Sequence, residues 1–360
     1  MHYFSDRIFD GDKWISGTVS IEGGLITSIR QGRFDGAVDV GGMLVPAFID
    51  IQVYGAAGRL LSAYPEPVSI RLLVDHCRKG GATLIQPTVA TNSPEVFRRC
   101  IDAVRAYRAD GGTGVHGLHL EGPWIAPEKR GAHLEEFIRR PDVSDVTQML
   151  DYGNGVVTMI TLAPEVCTPD IIDLVRSRNV VVSAGHSNAS FDQATAAFDS
   201  GITTATHLYN AMSPLQHRAP GLVGALFLHP TAMASVIVDG YHASFEAVRI
   251  ACRQMEGRLF AITDAVTDTK EGPYRHVLVG GDRYECNGVL SGSALTMHDT
   301  LVNLVRKVGI PLEEALRMSS LLPARALGWG EKQGRIAPGF AAQFCVIGDH
   351  LQLIDVLSAA

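Results

Sequence analysis

The chain has no Cys-x-x-Cys pair, no block of like charge and no apolar run near the about 18 residues that a membrane helix needs. Its six cysteines (Cys77, Cys100, Cys167, Cys252, Cys286 and Cys345) are scattered, which excludes a short disulfide framework or a zinc ribbon. A reducing compartment is expected, and with it a cytoplasmic location. The first residues include His2, Asp6, Arg7 and Asp10 in place of a basic flank and an apolar core, so neither a secretion leader nor a membrane span is expected. With 31 Lys and Arg against 38 Asp and Glu, the formal net charge is −7, and a nucleic-acid surface is excluded as a prior. Charged residues at 19% and hydrophobic ones at 46% describe a chain that can bury a large core. No Gly-x-Gly-x-x-Gly follows the first predicted strand, which disfavours a doubly wound nucleotide-binding sheet.

What is present is an alternation. Strand-like runs fall at 44–51, 83–89, 115–120, 156–162, 180–184, 202–206, 233–238 and 259–263. Between them lie segments of 3.6-residue periodicity, for instance 68–78, 94–108, 170–178, 191–200 and 245–255. Eight such repeats predict an α/β chain built as a (β/α)8 TIM-type barrel. A barrel of about 250 residues leaves room for one smaller unit. Residues 1–45 read as short strands with Gly11-Asp12 and Gly23-Gly24 as turns, and the apolar run 343–347 has the same character. Neither end can close a core alone, so residues 1–45 plus 330–360 are expected to pair into a small β-sandwich-like domain, leaving 46–329 as the barrel. A hairpin around Gly280-Gly281 is expected at 274–290, after the eighth strand, and helices at 296–307 and 312–319 close the barrel.

Barrel enzymes do their chemistry where strands run out into loops. At those ends the sequence places Gln52 and Tyr54 on the first strand, Glu121 on the third, His186 on the fifth, His207 on the sixth and Asp264 on the eighth. One carboxylate and two imidazoles with an open position make the ligand set of a hydrolytic metal site. An acid beside it that is not a ligand, Asp264, is the candidate general base.

Six motifs then reach a family. They are His119-Leu120-Glu121-Gly122-Pro123, Gly131-Ala132-His133, Gly185-His186-Ser187, the run from Thr206 to Met212, Asp239-Gly240-Tyr241-His242, and Thr263-Asp264-Ala265. In this order, over 46–339, the chain resembles the N-acetylglucosamine-6-phosphate deacetylases of the amidohydrolase superfamily. The resemblance implies that Glu121, His186 and His207 bind one divalent metal ion, zinc or iron, and that Asp264 is the acid/base. It implies that His133 helps polarise the acetyl carbonyl and that His242 contacts the sugar. Asn210 and Ala211 would offer backbone N–H groups to the phosphate, with Arg218 reaching it from the partner of a homodimer. Arg218 is the only Lys or Arg in the loop 210–221, and a phosphate needs a local cation in a net acidic protein.

Two positions depart from the wider pattern. Many amidohydrolases carry His-x-His after the first strand, where this chain has Gln52, Val53 and Tyr54. An amide and a phenol are poor substitutes for two imidazoles, so one tightly held metal is expected. Ala47 stands where relatives usually have glycine after the proline, and ordinary backbone angles are expected there. The function implied is metal-dependent removal of acetate from N-acetylglucosamine 6-phosphate. Another amidohydrolase acting on an N-acyl amino acid or a cyclic amide is the alternative, and a non-catalytic sugar-phosphate-binding protein is a rival class that would lack a ligand or the base.

Overall fold

The computed structural model describes residues 1–358. Eight parallel strands, Phe48–Val53, Ala82–Ala90, Leu118–Glu121, Val157–Leu162, Val181–Ala184, Thr204–Ala205, Met233–Ile237 and Leu259–Ile262, lie side by side in chain order. The ring closes where Val53 bridges to Ala265 in parallel and the Asp264 N–H donates to Gln52 O at 3.0 Å. This is the expected (β/α)8 barrel. Every residue of Phe48–Val53 is buried, because helices cover the outside of an all-parallel sheet and side chains fill its interior.

The covering helices carry their start signals in the sequence. Pro94–Ala109 begins after Ser93, whose hydroxyl accepts from the Val96 N–H, and it buries Phe97, Cys100, Ile101 and Val104 on one stripe. Phe191–Asp199 opens with a capping box of Ser190 and Gln193. The predicted helix at 296–307 is one turn more complex: Met297–Asn303 is α-helical and runs on as a π-helix, Leu304–Val308, which Gly309 ends at φ 78°.

The chain ends pair as expected, into one seven-stranded sheet in the order Leu353–Ser358, Gln343–Ile347, Met43–Pro46, His2–Phe9, Trp14–Glu22 and Leu25–Gln31, with Val38–Asp39 joined to His2–Phe9. It has its own core of Ile8, Val19, Ile26, Leu44, Phe344 and Val346. The run expected as a single strand at 44–51 serves both sheets. Met43–Pro46 pairs antiparallel with Gln343–Ile347, whereas Phe48–Val53 pairs parallel with Ala82–Ala90. Pro46 offers no N–H to continue a ladder, and Ala47 carries the crossing by donating to Gln343 O at 3.1 Å.

After the eighth barrel strand comes a three-stranded antiparallel sheet, His276–Val279, Arg283–Cys286 and Val289–Ser293, one strand more than a hairpin. Its last strand returns to the barrel, where Ser293 bridges to Ala265 and its N–H donates to Asp264 O at 3.1 Å. The insertion therefore sits over the mouth into which the barrel strands run. No helix among the described residues is long and apolar enough to cross a membrane. All six cysteines are buried and free.

Candidate active site

The strand ends deliver their side chains by leaving the sheet abruptly. His186, His207 and Asp264 have φ of 47°, 39° and 53°, the left-handed region that non-glycine residues rarely occupy. Strain of this kind persists only where surrounding bonds hold it, and the bonds are visible. Gly185 N–H donates to Leu162 O and the His207 N–H to Ser235 Oγ, while Asp264 is tied to Gln52 and Ser293 on its two sides. Glycine is required next to Glu121 and next to His186. A Cβ on Gly122 would lie 2.0 Å from Thr91 Oγ1, and one on Gly185 would lie 2.7 Å from Thr161 Cγ2.

Glu121, His186 and His207 converge. Glu121 Oε1 lies 3.3 Å from His186 Nε2 and 3.1 Å from His207 Nε2, and the two Nε2 atoms are 3.1 Å apart. The tautomers follow from the other ring nitrogens. His186 Nδ1 is 2.9 Å from Lys129 O and His207 Nδ1 is 3.1 Å from Asn210 O; a carbonyl can only accept, so in the neutral rings both Nδ1 atoms carry the hydrogen. Three atoms bearing lone pairs thus lie within 3.3 Å of one another. A tetrahedral ion with ligand bonds of about 2.0–2.2 Å would set its ligand atoms roughly 3.3 Å apart, which these three match. The donor set fits a divalent cation.

His133 is the fourth group and makes a second trio with Glu121 and His186, all within 4.8 Å of one another. Its Nε2 approaches the other carboxylate oxygen, Glu121 Oε2, at 3.1 Å, and its Nδ1 is 2.7 Å from Thr91 Oγ1. His133 and His207 each come within 3.1 Å of a Glu121 oxygen, so two overlapping trios offer three ligand atoms to an ion. Burial pushes His133 down to about 4 and lowers His207 as well. Burial also pushes Glu121 up, but the imidazoles around it, His133 foremost, outweigh that and hold its carboxyl well below the usual range.

Gln52 and Tyr54 occupy the space beside this triangle. Gln52 Nε2 lies 3.0 Å from Glu121 Oε1, 2.7 Å from Asp264 Oδ1 and 2.8 Å from the Tyr54 hydroxyl, and that hydroxyl donates to Glu121 Oε2 at 2.5 Å. Both groups present hydrogens to the carboxylates, where a second cation would need lone pairs. Asp264 is pushed well above the usual carboxylate range, by burial first and by the Glu121 charge second.

One cavity holds Glu121, His133, His186, His207, Asn210, Ala211, His242 and Asp264 together. His242 is oriented by Asp239, whose Oδ2 accepts from its Nδ1 at 2.6 Å and whose Oδ1 accepts from the Tyr241 and His242 N–H groups at 2.8 Å. The two amides expected to meet a phosphate differ. The Asn210 N–H already closes a turn onto His207 O at 2.9 Å, whereas the Ala211 N–H, at φ 50°, has no partner among the described residues. Arg218 is exposed and lines a neighbouring groove with Asn188 and Ser213 instead of the cavity. Ala47 has ordinary backbone angles.

Among the cavity-lining residues not singled out from sequence, Tyr274, His276, Leu290 and Ser291 all lie in or beside the inserted sheet. The insertion itself was legible, and so was its place after a barrel strand. Loops on that face build barrel active sites, a signal that could have pointed to its inner residues.

Comparison with known proteins agrees with this geometry. The model of the amidohydrolase family matches residues 43–358. The N-acetylglucosamine-6-phosphate deacetylase of Haemophilus influenzae is 34% identical over 333 residues, 88% of this chain and 85% of that protein. The N-acetylgalactosamine-6-phosphate deacetylase of Escherichia coli O157:H7 is 32% identical over 87% of this chain and 86% of its own length. Among solved structures, a mutant N-acetyl-D-glucosamine-6-phosphate deacetylase from Mycobacterium smegmatis, in complex with N-acetyl-D-glucosamine-6-phosphate, superposes with a TM-score of 0.92 at 30% identity, covering 99% of this chain and 97% of that one.

Proposed function

The chain belongs to the amidohydrolase family, within its N-acetylglucosamine-6-phosphate deacetylases, and on that premise we propose that it hydrolyses N-acetylglucosamine 6-phosphate to glucosamine 6-phosphate and acetate. The observation that carries the chemistry is the triangle of lone pairs on Glu121, His186 and His207, beside a carboxyl whose proton affinity is raised. When bound there, one divalent ion, zinc or iron, supplies Lewis acidity to a water and to the acetamide carbonyl.

The chain's own residues do the rest. Asp264, beside the ion position and not one of the three ligands, takes a proton from the attacking water and returns it to the departing amine. His133 stands over Glu121 Oε2 and stabilises the oxygen on which charge develops. That role needs the hydrogen on Nε2, and so needs the Thr91 hydroxyl to turn from Glu121 O, to which it donates at 3.0 Å, onto His133 Nδ1 at 2.7 Å. His242, held by Asp239, contacts the sugar, and the N–H groups at Asn210 and Ala211 meet the phosphate, with Ala211 as the uncommitted donor. Arg218 does not line the cavity of its own chain, which supports its delivery to the phosphate of the second subunit in a homodimer.

Residues 1–45 with 330–360 then form the small β domain and 46–329 the catalytic barrel. Free, buried cysteines suit a reducing cytoplasm. Incubating the metal-replete protein with N-acetylglucosamine 6-phosphate and following products by proton NMR tests the reading. Acetate and glucosamine 6-phosphate should appear in equal amounts and stop on chelation. Release that survives full metal removal would sink it.

A further inference from the structure

The inserted sheet turns two polar side chains toward the cavity that have no part in the chemistry described so far. His276 opens its first strand and Ser291 lies in its third, and both line the cavity that holds Glu121 and Asp264. His276 is only 7% exposed, and its Nδ1 is 2.8 Å from Ser291 Oγ. Its Nε2 has no hydrogen-bond partner among the described residues. Tyr274 keeps the ring in place: the two rings are nearly parallel, at 9° and 6.2 Å between centroids. Tyr274 is itself fixed, its hydroxyl donating to Thr91 O at 2.5 Å and accepting from the Leu134 N–H at 3.3 Å.

The chemistry of the pair does not depend on where its shared hydrogen lies. If Nδ1–H donates to Ser291, then Nε2 is an acceptor and the serine hydrogen is a free donor. If Ser291 donates to Nδ1, then Nε2–H is the donor and Oγ the acceptor. Either way one donor and one acceptor face the cavity from a rigid mount. That pattern suits hydroxyl groups, each of which both donates and accepts. It does not suit a phosphate, because one of the two atoms would always set a lone pair against the anion, and burial pushes His276 down to about 4, so the ring is neutral.

We propose that His276, with Ser291, reads a hydroxyl group of the sugar ring and so sets which amino sugar is accepted. This deepens the functional reading above and rests on it. The two relatives act, by their names, on glucosamine and galactosamine derivatives, which differ only in the orientation of the C4 hydroxyl. A buried donor–acceptor pair is the kind of device that separates such substrates, since it is left unpaired when the hydroxyl is missing or misdirected.

The test is a substrate-deletion cycle. kcat/KM is measured for the wild type and His276→Phe, which keeps an aromatic ring in the stack, on N-acetylglucosamine 6-phosphate and its 3-deoxy and 4-deoxy analogues. The variant should lose roughly tenfold to a hundredfold on the full sugar, and one of the analogues should cost the wild type a similar factor but cost the variant almost nothing further. Ser291→Ala should show coupling to the same hydroxyl, which guards against a poorly folded His276→Phe. Equal deoxy penalties in wild type and both variants would overturn the proposal. A wild type inert on all three sugars but active on another amide would instead overturn the functional reading, and this inference with it.

Discussion

At the scale of single residues, the proposed single-ion site turns on Gln52. Its side-chain N–H groups reach Glu121 and Asp264, partners 69 and 212 residues away in sequence, so its role could not be read from its neighbours. The sequence showed only that two imidazoles were missing; the structure adds that the Gln52 amide and the Tyr54 hydroxyl donate to Glu121 and Asp264. Elemental analysis of purified protein should therefore give about one tightly bound divalent ion per chain, and a stoichiometry near two would contradict this. Asp264 was legible as a strand-end acid, but its strained backbone and its contact with Gln52 were not, because both arise from long-range packing. Asp264→Asn should retain the metal and substrate affinity while kcat falls by roughly two to four orders of magnitude. Near-normal turnover of a metal-replete sample would remove Asp264 from its role.

At the scale of elements, periodicity located all eight barrel strands, and the errors fall at their ends. The sixth was expected at 202–206 and is only Thr204–Ala205, because the chain must leave the sheet to swing His207 inward. The first was expected to be continuous, and its division at Pro46 depends on a partner, Gln343–Ile347, that lies far off in sequence. The same strand carries a buried acid with no part in the reaction. Asp50 accepts from the Thr263 hydroxyl at 2.5 Å, and burial raises its carboxyl from 3.8 to about 6 despite that bond. A carboxyl whose folded pKa exceeds its unfolded value favours the fold in its protonated form, so its contribution is largest below pH about 4 and is lost as pH rises through 6. Relative to Asp50→Asn, the wild type should lose roughly 2–3 kcal/mol of unfolding free energy between pH 4 and pH 7. Urea unfolding of both proteins at the two pH values checks this, and metal loss at low pH cancels in the difference. A pH-independent difference would show that Asp50 stays charged in the fold.

At the scale of the whole molecule, the ends close one sheet, the middle closes a barrel, and the cavity at the barrel mouth contains no Lys or Arg among its lining residues. If the partner subunit supplies Arg218, Arg218→Ala should raise KM for the phosphorylated sugar and barely change turnover of the unphosphorylated one. Mixing Arg218→Ala with Asp264→Asn chains should then restore activity, because one site of each mixed dimer combines an intact base with an intact arginine. No gain on mixing would place Arg218 within its own site. Substrate class is the most direct test of the account, since a barrel with this metal triangle could cut many amides. Rates of amide cleavage by one metal-replete sample should be compared for N-acetylglucosamine 6-phosphate, unphosphorylated N-acetylglucosamine, an N-acetyl amino acid and a cyclic amide. The phosphorylated sugar should have the highest kcat/KM by at least about tenfold, the order of one charge-assisted phosphate contact; a higher value for the N-acetyl amino acid or the cyclic amide would contradict the account.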